Sequence, residues 1–195
     1  MRLSFRQSKL ANSSSGGMCG RRRSICGDRG EPGIVPSKLE ELYKLMPSDK
    51  VNKKTREEWR TLGFFYDVDH EAKVWTLIGS RAGLLCFRDV LRAYVADPRN
   101  TLESEHEHYG PYMYLKVMTW QEAGFDKDAI RGPLGDLARL AELVEAKLAD
   151  AQPGSTVRIH EEFAADSPYA LVLQVHEDSF DPATADPLLP NEEAG

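Results

Sequence analysis

The chain has 195 residues, 41% of them hydrophobic and 29% charged, which supplies one good core and argues against a second. Its formal net charge of −6 is unevenly spread, with +5 on residues 1–45 and −11 on residues 46–195. So acidic a body repels nucleic-acid backbones, and no apolar run approaches the roughly 20 residues that span a bilayer.

The first 36 residues are rich in Ser, Gly and Arg and lack apolar periodicity. Residues 1–45 read as a disordered basic leader with a short helix at its end, begun by the capping box Ser37–Glu40 and stopped by Pro47. The arginines of the leader are not followed by the apolar stretch of a secretory signal. Arg21, Arg22 and Arg23 form too short a basic run to define a nucleic-acid site, and a solvated tail accounts for them. Cys19, Cys26 and Cys86 are an odd set without zinc-like spacing, which implies a reducing compartment and a cytoplasmic protein.

A single α+β domain is expected over residues 46–180. Residues 48–58 are charged and fit either a helix or a loop. The β-prone runs Leu62–Val68 and Lys73–Ile78 flank a polar connection and predict a hairpin. The period then changes. Leu84, Phe87, Leu91, Tyr94 and Val95 recur at three- and four-residue spacing, predicting an amphipathic helix capped by Ser80 and ended before Pro98.

A histidine-bearing loop, Ser104–His108, leads through Gly110-Pro111 into a central strand that ends near Trp120. Alternation on that strand puts Met113, Leu115 and Val117 on one side and Tyr112, Tyr114, Lys116 and Met118 on the other. A second helix is expected from Pro133, with Leu134, Leu137, Leu140, Ala141, Val144 and Leu148 as its stripe. Thr156–Phe163 and Tyr169–Glu177 read as a closing hairpin. Residues 181–195 read as an acidic, proline-punctuated, irregular tail.

The expected order is ββαβαββ: a two-layer α+β sandwich of about five mostly antiparallel strands, with two amphipathic helices on one face. The other face then meets water or a partner. Tyr112, Tyr114, Lys116, His160, Glu162 and His176 fall there, and Glu105, His106, Glu107 and His108 in the loop beside it. Aromatic, basic and polar side chains on a rigid sheet suit a protein interface, although a half-exposed sheet carries such residues in any case.

His106 and His108 are spaced HxH, which on extended backbone sets both imidazoles on one side. With His160, His176 or a neighbouring glutamate they suggest a zinc-like centre and a small metal-dependent enzyme as the alternative function. Sequence supplies no third ligand, and mutual pairing around the turn explains the loop without a metal. Glu105, Glu107, Glu161 and Glu162 offer carboxylates for acid/base work, but solvated acids account for them equally. Ser80-Arg81 needs no anion beyond an ordinary N-cap. GxSxG, P-loop, CxxC and HExxH motifs are absent. No catalytic residue, metal ligand or cofactor is therefore assigned.

The run Ser104–Trp120, with Gly79–Leu85 and Tyr94–Asn100, resembles a family of small bacterial proteins associated with the immunity proteins of polymorphic toxin systems. The resemblance covers about residues 59–182 and departs in the leader before Met46. It implies a non-catalytic protein that binds a cognate toxin and blocks it. The acidic body agrees with a basic, nuclease-like toxin domain as partner.

Overall fold

A computed structural model describes residues 47–190; the short helix expected at 37–45 lies outside the described residues. Helix α1 (Asp49–Leu62) settles the charged segment after Pro47. Ser48 Oγ accepts the Val51 N–H at its start, and Gly63, at φ 89°, closes its end. Its buried side is only Asn52, Thr55 and Trp59, so one indole carries most of its attachment.

Strands β1 (Phe65–Asp69) and β2 (Val74–Ser80) form the expected antiparallel hairpin. Asp69 Oδ1 accepts the N–H groups of Glu71 and Ala72 and shapes its turn. Helix α2 (Arg81–Ala96) follows, with Ser80 Oγ accepting the Gly83 N–H at 3.1 Å and with Gly83, Leu84, Phe87, Leu91 and Tyr94 buried.

The central region departs from expectation. Strands β3 (His106–Tyr109) and β4 (Leu115–Thr119) are separated by a 3-10 turn at Pro111–Met113, so the histidines lie on a strand and Tyr112 does not. Two short strands that the expected order does not contain, β5 (Gly124–Phe125) and β6 (Ile130–Gly132), occupy the stretch between Trp120 and Pro133. Helix α3 (Leu134–Leu148) starts one residue later than expected, with Pro133 as its N-cap and not its first helical residue, and buries Leu137, Leu140, Ala141, Val144 and Leu148.

Strand β7 (Thr156–Ile159) stops four residues short of the predicted Phe163, because Glu161–Ala164 turns into the short helix α4. Strand β8 (Ala170–His176) then pairs antiparallel with it.

These strands make two four-stranded mixed sheets instead of a single five-stranded one. Sheet 1 has the order β1-β2-β8-β7 and sheet 2 the order β3-β4-β6-β5. β2 pairs parallel with β8, and β4 parallel with β6; the other pairs are antiparallel. The ββαβαββ order fails because β3, β5 and β6 have two to four residues each and polar or glycine positions, too little for a period to register. They are specified by pairing partners instead.

On sheet 1 the register aligns Leu77 with Leu173, which in turn faces Val157, and Trp75 with Leu171, which faces Ile159. That face is the core. Helices α2 and α3 pack against each other, and both contribute to the same core cluster. The opposite face carries Asp67, Thr76, Val172 and Arg158 in one cross-strand row. It is covered at its β1 end, where Trp59 of α1 stacks on Phe65 at 5.0 Å.

The proline-punctuated segment after residue 178 takes part in the packing. Pro182–Ala185 forms a 3-10 turn against α1, β1 and β2, and Asp186 is buried. No helix among the described residues is long and apolar enough to cross a membrane.

Candidate functional site

The connection between β3 and β4 is held in an unusual backbone. Gly110 has φ 73°, and a Cβ there would lie 2.9 Å from Leu62 Cδ2 and 3.0 Å from Tyr66 Cε1, so only glycine fits. Tyr112 and Met113 follow at φ 65° and 60°, two consecutive non-glycine residues in the left-handed region. Each costs roughly 1–2 kcal/mol and persists only where its surroundings over-determine it.

The surroundings are specific. The Tyr66 hydroxyl donates toward Tyr109 O at 2.9 Å and Pro111 O at 3.1 Å, and accepts the Tyr114 N–H at 3.2 Å. Tyr112 OH donates to Asp186 Oδ2 at 2.9 Å, and the same oxygen accepts the Trp59 indole N–H at 2.7 Å. His108 Nδ1 donates to Met113 O at 2.5 Å. Burial raises the Tyr66 phenol above its usual value, and burial followed by Asp186 pushes that of Tyr112 up to about 12. Both phenols are therefore kept as neutral donors. The outcome is a protrusion on which Met113 is 56% and Tyr114 70% exposed.

Beside the protrusion lies a cleft of about 500 Å³ between β1 and sheet 2. Tyr66, Asp67, Val68, His70 and Trp75 line it from the first hairpin, and His108, Met113, Tyr114, Lys116, Lys127 and Asp128 line it from sheet 2 and its connections. Lys127 and Asp128 pair with each other at 3.4 Å. The cleft thus joins aromatic side chains to charges of both signs, which suits recognition of a mixed-charge surface more than of a single ion.

The residues singled out from sequence separate into distinct places. His106, His108 and Lys116 share the exposed face of sheet 2, with Tyr114 at its edge. Glu105 is exposed just before β3. Glu107 alternates to the other side, where it accepts from Tyr109 OH at 2.8 Å and Asn100 Nδ2 at 3.3 Å. Burial first, and Glu107 second, hold the Tyr109 phenol far above its usual range. Tyr112 turns toward Asp186 instead of lying on the strand face with Lys116.

His160, Glu162 and His176 belong to sheet 1 and its flanks. His160 Nε2 donates to Ser167 O at 3.0 Å at the head of α4. Glu162 pairs with Lys147 at 2.5 Å, and that ammonium holds its carboxyl below the usual range, unlike a general acid. His176 stacks on Phe180 at 4.5 Å at the end of β8. A zinc-like centre drawing on His160 or His176 with the HxH pair is thus not assembled. Among the described residues no three His, Cys, Asp or Glu side chains gather as a metal site.

Sequence reading misses Tyr66 and Asp186, and of the cleft Asp67, Val68, His70, Trp75, Lys127 and Asp128; it also sets Met113 on one side with Leu115 and Val117, whereas Met113 is exposed in the turn. Tyr66 carries a signal, as part of an aromatic run; Asp186 acts on Tyr112 from 74 positions away. No family model matches the chain, and no curated protein or solved structure matches it either.

Proposed function

We propose that this protein is a non-catalytic binding module that docks a protein partner on the Tyr112–Tyr114 protrusion and the adjoining cleft. The observation that carries the reading is the pair of left-handed residues held in place by Tyr66, His108 and Asp186. Tyr112 anchors the turn on Asp186 and Trp59, and the strain also leaves a methionine and a tyrosine turned to solvent, an arrangement that recognition accounts for. A rigid aromatic anchor loses little conformational freedom on binding, and Tyr is enriched among the residues that dominate interface energies.

The partner class is a basic domain such as a nuclease-like toxin, and the role is that of an immunity protein. The excess of 11 negative charges on residues 46–195 would speed encounter with such a partner at low salt. The patch itself holds aromatic and imidazole groups and one ammonium, that of Lys116, because Glu107 faces inward. Attraction therefore belongs to the body as a whole and grip to the protrusion.

The test is co-expression with a toxin encoded beside this gene. The wild-type chain rescues growth, and the double variant Met113→Ser/Tyr114→Ser fails to rescue while its melting temperature is unchanged. A toxin-free neighbourhood, or full protection by that folded variant, defeats the reading.

A further inference from the structure

The exposed face of sheet 2 carries a second combination, which shares His106 and His108 with the docking patch but is read for a different ligand. His106 and His108 project to one side of β3, an edge strand, with ring centroids 5.2 Å apart. Each ring is fixed at Nδ1: His106 lies 3.0 Å from Ser104 O and His108 2.5 Å from Met113 O. A carbonyl oxygen only accepts, so Nδ1 carries the proton in both rings, and the lone pair of each neutral imidazole is on Nε2. A Nδ1–H held by a backbone carbonyl is the outer support that metal-ligating histidines use.

The register then adds a third donor. Met118 on β4 stands directly opposite His106, and so projects to the same face, with Cβ atoms about 5 Å apart in such pairs. Two imidazoles and a thioether are soft, uncharged donors, a set that selects monovalent copper over zinc, calcium or magnesium.

The side chains at the adjoining register positions are basic, and Asp67 and Asp128 line the cleft beyond them. Lys116 lies opposite His108. Arg131 lies opposite Met118, but its guanidinium is drawn aside by Asp126 Oδ2 at 3.0 Å and Glu122 O at 3.2 Å. Neighbouring positive charge weighs less against a singly charged ion than against a dication. The geometry points to a cuprous-ion site formed by His106, His108 and Met118.

The experiment uses the full chain with Cys19→Ser, Cys26→Ser and Cys86→Ser, because free thiols also take soft metals. Cuprous ion is titrated anaerobically against the chromophoric chelator bicinchoninate. The expected result is withdrawal of one equivalent from the chelator. His106→Ala and His108→Ala each weaken binding at least about tenfold, since even outer supports of a metal ligand cost that much. Met118→Leu keeps volume and apolarity, and it too weakens cuprous binding, while circular dichroism shows all variants folded. Failure of the parent chain to compete with the chelator overturns the site. So does unchanged affinity in Met118→Leu or in the two histidine variants.

Discussion

At the scale of single residues, two polar atoms hold the protrusion in place. The Tyr66 hydroxyl serves three backbone groups of the loop. Tyr66→Phe leaves them without that partner, and urea denaturation is expected to show a loss of about 1–3 kcal/mol. Asp186 is the second: it is 4% exposed and accepts from both Trp59 and Tyr112. Tyr112 also gives a signature at alkaline pH. Its phenol is raised from 10.0 to about 12 by burial and then by Asp186, so its contribution is whole below pH 10 and is lost as pH rises through about 12. Tyr112→Phe is expected to flatten the fall in stability across that window, measured by urea midpoints at successive pH values. Little of this was legible in the sequence. Tyr66 is visible as one of three adjacent aromatics, but its partners lie 43 or more positions away. No local pattern marks a hydroxyl that supports a distant turn.

At the scale of elements, glycines mark where backbones meet. Gly83 in the first turn of α2 touches the C-cap of α1: a Cβ there would stand 2.0 Å from Gly63 O. Gly83→Ala is expected to push the two helices apart and destabilise by about 1–3 kcal/mol. A melting temperature lowered by several degrees would report it, at roughly 2–4 °C per kcal/mol for a domain of this size. Gly135, in the first turn of α3, has nothing within 4 Å of its would-be Cβ. Gly135→Ala is expected to be neutral or to stabilise by up to about 1 kcal/mol, because alanine loses less backbone freedom in a helix. The contrast separates a packing requirement from a propensity. Helices α2 and α3 and the hairpin β1–β2 were legible because each shows a full period, and Ser80 because an N-cap is a local device. Strand β3 was not, since its inward positions are Glu107 and Tyr109, satisfied by Asn100 and by each other. A polar inside defeats a pattern that counts apolar residues.

At the scale of the whole molecule, charge is arranged in small surface pairs. Arg99 holds the Asp97 carboxyl at about 2, and Arg60 lowers that of Asp181. Arg92 and Arg88 lower Glu145. Depressed carboxylates favour the fold above their ordinary values and lose that effect as pH falls through the depressed ones. Stability is therefore expected to decline from about pH 4 towards pH 2, with a shallower slope in high salt because these pairs are exposed. Chemical denaturation between pH 2 and 5 at two ionic strengths checks this. A slope indifferent to salt would assign the acid limb to buried groups instead.

The central pairing of sheet 1 joins β2 to β8, with Val74 set beside Ala170. During translation the hairpin emerges from the ribosome early, while its inner neighbour is still unmade. Trp75 and Leu77 cannot meet Leu171 and Leu173 until synthesis has run on through almost a hundred more residues. A nascent chain halted after α3 would carry helices α1, α2 and α3 and one bare edge of the hairpin. Completion of the sheet, and with it the shelter of those side chains, belongs to the last stage of the protein's manufacture.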